Sequence, residues 1–337
     1  MSTNVPFSSV LNTLTNPNAN FPARLLKEFS DLSPANLKAL QEAWPQVGLE
    51  RKRTLLRDLN NAYREDNLLS YDDVAQTFLG DPDALVRAQA VRLLEETSDP
   101  CLLKRLMDIE QNDPDLGVRA ETATVLGQFV RLGEEERLEP EIKRQVEDIL
   151  LNAANDERSP RLQRAALESL GYSSRPEVVE LIEKAFERPD THWPISALLA
   201  ISRSLNTRYQ DQVLIGLNHE DTQVRLLAAQ AAGELELKTA RQPLLTMLEE
   251  EDDDEVMEAV IWSLSQIGGE DVRAYLQTML DAAEDEDQIE FISDALTNLS
   301  FTEDMEGFDL MAYDPDDELH ELDELPDDDE EYPHRNN

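Results

Sequence analysis

The chain has 337 residues, 40% apolar and 6% aromatic, with one cysteine and a formal net charge of −42 at pH 7. That length allows two or three domains, or one elongated one. The charge excludes a duplex-binding footprint, which needs clustered cations against phosphate, and Cys101 alone excludes an internal disulfide.

Leu, Ala, Glu, Asp and Arg dominate, all but Asp strong helix formers, and no run alternates apolar and polar residues as a half-buried strand would. The expected fold class is therefore all-α. The opening stretch MSTNVPFSSVLNTLTNPNANF lacks a basic n-region and a continuous apolar core, so no secretory signal is expected. No segment approaches the roughly 18 apolar residues of a membrane helix. The expected address is the cytoplasm, with no membrane contact.

In chain order, residues 1–20 are polar, carry Asn-Pro at 16–17, and are expected to be loose. SPANLKALQEAW opens with Ser33 and Pro34 in helix-starting positions, and ERKRTLLRDLNNAYRE is amphipathic. Together, 1–70 predict an N-terminal helical cap containing one degenerate hairpin. The basic cluster Arg51, Lys52, Arg53 and Arg57 lies on one helix and does not recur, which predicts a solvated helix face.

From residue 71 a pattern repeats. Apolar anchors with partners four and eight residues on stand at Val86, Val118, Leu162, Trp193, Val224 and Val256, with Gln288 in the corresponding last place. Successive anchors are 31 or 32 residues apart, except for a 44-residue interval containing RLGEEERLEPEIKRQ. Three residues before each anchor stand Asp83, Asp115, Ser159, Asp190, Asp221, Asp253 and Asp285, whose side chains can satisfy first-turn N–H groups. Arg87, Arg119 and Arg225 follow their anchors, and Gly127, Gly171 and Gly233 follow the +8 position. Another apolar helix precedes each of these, so every unit is a helical hairpin of about 32 residues. Neither helix can bury its stripe alone, and stacking makes one core. Residues 71–301 thus predict seven stacked hairpins, with alanine at +4 and +8 allowing close approach. The three arginines are expected to bridge adjacent units through aspartates.

Residues 302–337 hold sixteen acidic residues and one arginine. Such a segment buries too little apolar area to offset ordering, which predicts a disordered acidic tail.

The D-x-x-V-R-x-x-A-x-x-x-A/L-G arrangements at Asp83–Leu94, Asp115–Gly127 and Asp221–Gly233 resemble the HEAT-repeat family, in its short form named after phycobilisome lyases. Gln163, Pro194 and Met257 depart from the arginine, and Gln288 from the anchor. The resemblance implies a right-handed α-solenoid whose second helices line the concave face. It also implies an alternative function, bilin handling of the lyase type.

The search for chemistry is mostly negative. No His-x-x-Glu-His, Cys-x-x-Cys, glycine-rich phosphate loop or G-x-S-x-G elbow is present. HEAT-like deoxyhypusine hydroxylases hold two irons with several His-Glu pairs inside repeat helices. Here His219-Glu220 precedes a helix and His320-Glu321 lies in the tail, so turn punctuation is the expectation. No catalytic residue, cofactor or metal is expected.

At 100° per residue, offsets +2 and +6 from each anchor point away from the core. They give Ala88 and Arg92, Ala120 and Thr124, Arg164 and Glu168, and then an apolar series, Ile195, Leu199, Leu226 and Trp262, rimmed by Glu258, Glu290 and Asp294. These seven residues are the candidate partner-binding site. The expected function is a non-enzymatic scaffold that binds a protein partner, a basic or amphipathic segment, on an acidic concave face. No nucleic acid is expected there, and oligomeric state is not legible.

Overall fold

The structure, a computed structural model, describes residues 5–66 and 68–312. It is all-α in these residues, and the chain divides into two compact units, 1–231 and 232–337.

The first unit opens with α1 (Phe7–Thr15), a 3-10 turn (Ala23–Phe29), α2 (Pro34–Ala43) and α3 (Leu49–Glu65). The expectation of a loose N-terminus is corrected here. Val10 and Leu14, one turn apart on α1, are buried, and Phe7 meets Phe29 edge-on at 5.7 Å. A four-residue apolar spacing outweighed the polar composition around it.

Four hairpins follow: α4 (Asp72–Phe78) with α5 (Ala84–Arg92), α6 (Pro100–Asn112) with α7 (Leu116–Glu134), α8 (Pro140–Ala154) with α9 (Pro160–Leu170), and α10 (Pro176–Phe186) with α11 (His192–Ser204). The second helices α5, α7, α9 and α11 pack each on the next. The long interval in the sequence lengthens helix rather than loop, since α7 runs 19 residues and α8 runs 15. Then α12 (Gln210–Gly216) leads to α13 (Thr222–Glu234), within which the two units divide. The second unit continues with α14 (Arg241–Glu250) and α15 (Asp254–Ile267), then α16 (Glu270–Ala282) and α17 (Glu286–Ala312).

The capping residues act as their spacing suggests. Asp83, Ser159 and Asp253 each accept a hydrogen bond from the backbone N–H of the anchor three residues on, at 3.2 Å. Asp115 and Asp221 do the same for Val118 and Val224. Asp190 is the exception: it accepts from His192 N at 3.1 Å, one turn position short of Trp193.

Arginines tie consecutive hairpins. Arg87 forks onto both carboxylate oxygens of Asp113 at 2.8 Å and also donates to the Asp81 carbonyl. Arg119 reaches Glu110 at 3.2 Å and Asp156 at 3.4 Å. Asp113 and Asp156 precede the capping residues of the next unit, whereas Glu110 lies on α6 of Arg119's own hairpin. Arg53 belongs to the same series, forking onto Asp83 at 2.6 and 3.0 Å. Lys52 lies 3.8 Å from Asp81 and over the Trp44 ring at 5.0 Å. The expectation of a solvated basic face on α3 is therefore corrected for three of its four residues: Arg53 and Lys52 close the first stacking interface, and the half-buried Arg51 donates to the Ala19 carbonyl.

The tail boundary also moves. Helix α17 continues past Phe301 to Ala312, with Thr302 Oγ1 donating to the Ser265 carbonyl at 3.2 Å and Arg273 paired with Glu303. These tertiary bonds extend helix into acidic sequence. Residues 313–337, the rest of the expected tail, lie outside the described residues.

Candidate functional site

In the second unit, α15 is fixed by its buried stripe of Val256, Val260 and Leu264. The opposite side presents Glu258 and Trp262, one turn apart and exposed, with Trp262 40% accessible. On α17, Ile292, Ala295 and Leu299 are buried, while Glu290 and Asp294 are exposed one turn apart. Gln288, in the anchor position, is exposed, as a polar residue at the end of a stack should be.

Helices α15 and α17 pack together, and Asn298 Nδ2 donates to Ser265 Oγ at 2.9 Å. That bond sets their register. Both are second helices of consecutive hairpins and run the same way, so stepping back one turn from it brings Trp262 level with Asp294. One turn further back lie Glu258 and Glu290. Two carboxylates, one indole and a third carboxylate thus share one face.

The charge around this face is uncompensated. Residues 232–301 contain 19 acidic and 3 basic residues. All three cations are engaged elsewhere: Lys238 on the Ile267 carbonyl, Arg241 on the Gly268 carbonyl and 3.5 Å from Asp271, and Arg273 on Glu303 and Ser300. Among the described residues, Glu258, Glu290 and Asp294 make no ion pair.

In the first unit, Ile195 and Leu199 stand one turn apart on α11, and Leu226 lies on α13. All three are half-buried, which corrects the expectation of an exposed apolar series. Ala120, expected on the same outward face, is buried, because α7 lies between α5 and α9. Beside the α11 pair, Ser196 Oγ donates to Glu168 Oε1 at 2.6 Å. Burial pushes the Glu168 carboxyl up from its ordinary value, against the Ser196 hydrogen bond and the nearby Arg203 and Arg164 charges. Trp193 is buried, with the Arg188 guanidinium 3.7 Å from its ring centre.

His219 is turn structure. Its Nδ1 accepts from Asp221 N at 3.0 Å, and Arg225 donates to the His219 and Glu220 carbonyls at 3.1 Å. His320-Glu321 lies outside the described residues. Among the described residues no group of three or more His, Cys, Asp or Glu is placed to hold a metal ion, and no helix is long and apolar enough to cross a membrane.

Sequence reasoning missed two cavities of the first unit. One, of about 660 Å³, runs between α6 and α8 over Leu103, Met107, Ile142 and Ile149. The other, of about 330 Å³, lies among Arg64, Arg92, Glu121 and Thr124. For the first, the available signal was the four- and seven-residue spacing on the first helices, which anchors placed on the second helices ignore; the second lies along second helices, at the +6 positions Arg92 and Thr124.

Residues 210–293 match the family model described as HEAT repeats. A comparison with curated protein sequences finds no match. Among solved structures, the chain is similar to the Escherichia coli protein YibA, with 18% identity over 85% of this chain and 98% of that one, at a TM-score of 0.50. It is also similar to the CpcE–CpcF complex of phycocyanin lyase from Nostoc sp. PCC7120, with 14% identity over 84% and 97% of the two chains and a TM-score of 0.48. Human deoxyhypusine hydroxylase in complex with glycerol gives 16% identity, 77% and 95% coverage, and a TM-score of 0.34. The likeness to YibA is one of fold.

Proposed function

From a chain built of HEAT repeats, we propose a non-enzymatic scaffold that binds a basic or amphipathic segment of a protein partner. The contact face in the second unit is that of α15 and α17. One observation carries this reading: an exposed tryptophan stands among three unpaired carboxylates in a stretch with 19 acids and 3 bases. Large exposed aromatics are the usual anchors of protein interfaces. An uncompensated negative field speeds encounter with a cationic partner and weakens with salt.

The half-buried Ile195, Leu199 and Leu226 are proposed as apolar contacts of the first unit. Bilin handling, the other function implied by the repeat type, has no residue arrangement in its favour.

Co-purification from the native cell tests the proposal. The full chain should recover a protein with a basic segment, and Glu258→Lys combined with Asp294→Lys should release it. Recovery of acidic partners only, or recovery indifferent to charge reversal, would count against it.

A further inference from the structure

The chemistry around Trp262 specifies what it receives. The protein has three tryptophans, and two of them are buried. Each buried ring faces a cation of its own chain: Lys52 lies 5.0 Å from the Trp44 ring centre, and Arg188 lies 3.7 Å from that of Trp193. Among the described residues no Lys or Arg lies over Trp262, and the three cations of 232–301 are held elsewhere. The groups at neighbouring exposed positions on its face are the carboxylates of Glu258 and Asp294, not aliphatic side chains.

An aliphatic side chain laid on this ring would desolvate those carboxylates without pairing them, which is costly. An ammonium or guanidinium would be drawn to the ring face by its quadrupole and to the carboxylates by charge. A planar guanidinium also stacks on the indole while presenting its N–H groups outward.

We propose that Trp262 receives an arginine or lysine side chain of the partner, sandwiched between the indole face and the Glu258 and Asp294 carboxylates. This rests on the preceding proposal that a basic segment binds here. It differs from it in making the indole a cation receptor rather than an apolar anchor.

The test uses the full-length chain and two labelled amphipathic helical peptides of about 20 residues, one Leu/Lys and one Leu/Gln, titrated at low and at physiological salt. Binding is compared for the natural protein, Trp262→Phe and Trp262→Leu. Residue 262 is exposed, so all three should fold alike, which circular dichroism checks. A cation receptor predicts affinity for the Leu/Lys peptide falling in the order Trp, Phe, Leu, with Leu about three- to thirtyfold weaker than Trp. The Leu/Gln peptide should not distinguish Phe from Leu. If the Leu/Lys peptide binds but Phe and Leu variants are equal, the cation receptor is overturned while the basic-segment reading stands. If the natural protein does not bind the Leu/Lys peptide at all, both fall.

Discussion

A β-carbon placed on Gly171, which caps the C-terminal end of α9, would stand 2.6 Å from the Ala200 Cα of α11, closer than any real contact allows. The same relation recurs where Gly127 meets Ser169, with 3.2 Å to its Cα, and where Gly233 meets Ser263, with 2.8 Å to its Cα. In each case a glycine nine residues past its anchor faces a small residue seven past the next anchor. The repeat thus encodes a close helix approach that alanine cannot replace.

Gly171→Ala should therefore destabilise the protein by about 1–3 kcal/mol, because the obstructing atoms are backbone and cannot rotate away. Gly80→Ala, where a β-carbon meets nothing nearer than 3.9 Å, should be neutral or mildly stabilising. Thermal denaturation of the two variants checks the contrast; equal melting temperatures would refute it.

The Arg87–Asp113 bridge is mostly sealed, with side chains 11% and 7% accessible. Removing either partner strands a charge, so Arg87→Met or Asp113→Leu alone should cost about 3 kcal/mol. The double replacement should cost less than either single one, since it removes both charges. Denaturant unfolding of the four proteins in a cycle measures this, and additive losses would show that the charges do not interact.

Two carboxyls give opposite pH dependence. Burial, the largest cause, raises the Glu168 carboxyl above its unfolded value. Between those two values the folded protein holds a proton that the unfolded chain has lost, so stability rises as pH falls through the raised value. Relative to Glu168→Gln, the natural protein should gain stability on acidification through that window. Asp156 is lowered to about 2, chiefly by its Arg158 hydrogen bond. Its contribution is present above the usual aspartate range and is lost as pH falls toward 2. Paired denaturation of each variant against the natural protein at stepped pH reads both signs.

The sequence carries these features unequally. Anchors, capping aspartates and the tie-forming arginines are local and periodic, so they are legible. The acids that answer Arg87 and Arg119 across the stack, Asp113 and Asp156, are not, because they sit 26 and 37 residues downstream and are paired by stacking. Nor is the half-burial of Leu226, or the cavity between α6 and α8, since both depend on neighbouring elements rather than on any one helix. Trp262, Glu258, Glu290 and Asp294 came from helix geometry alone. Their common level on α15 and α17 needed the Ser265–Asn298 bond. Helix α1 was hidden because two buried residues, Val10 and Leu14, are a weak signal in a polar stretch.

Hydrogen exchange on the full-length chain, with and without saturating Leu/Lys peptide, tests the central claim most directly. The account predicts slowed exchange within 254–267 and 286–304, with no change in 100–112 or 140–154. Protection confined to those two first helices, or none anywhere on saturation, would contradict it.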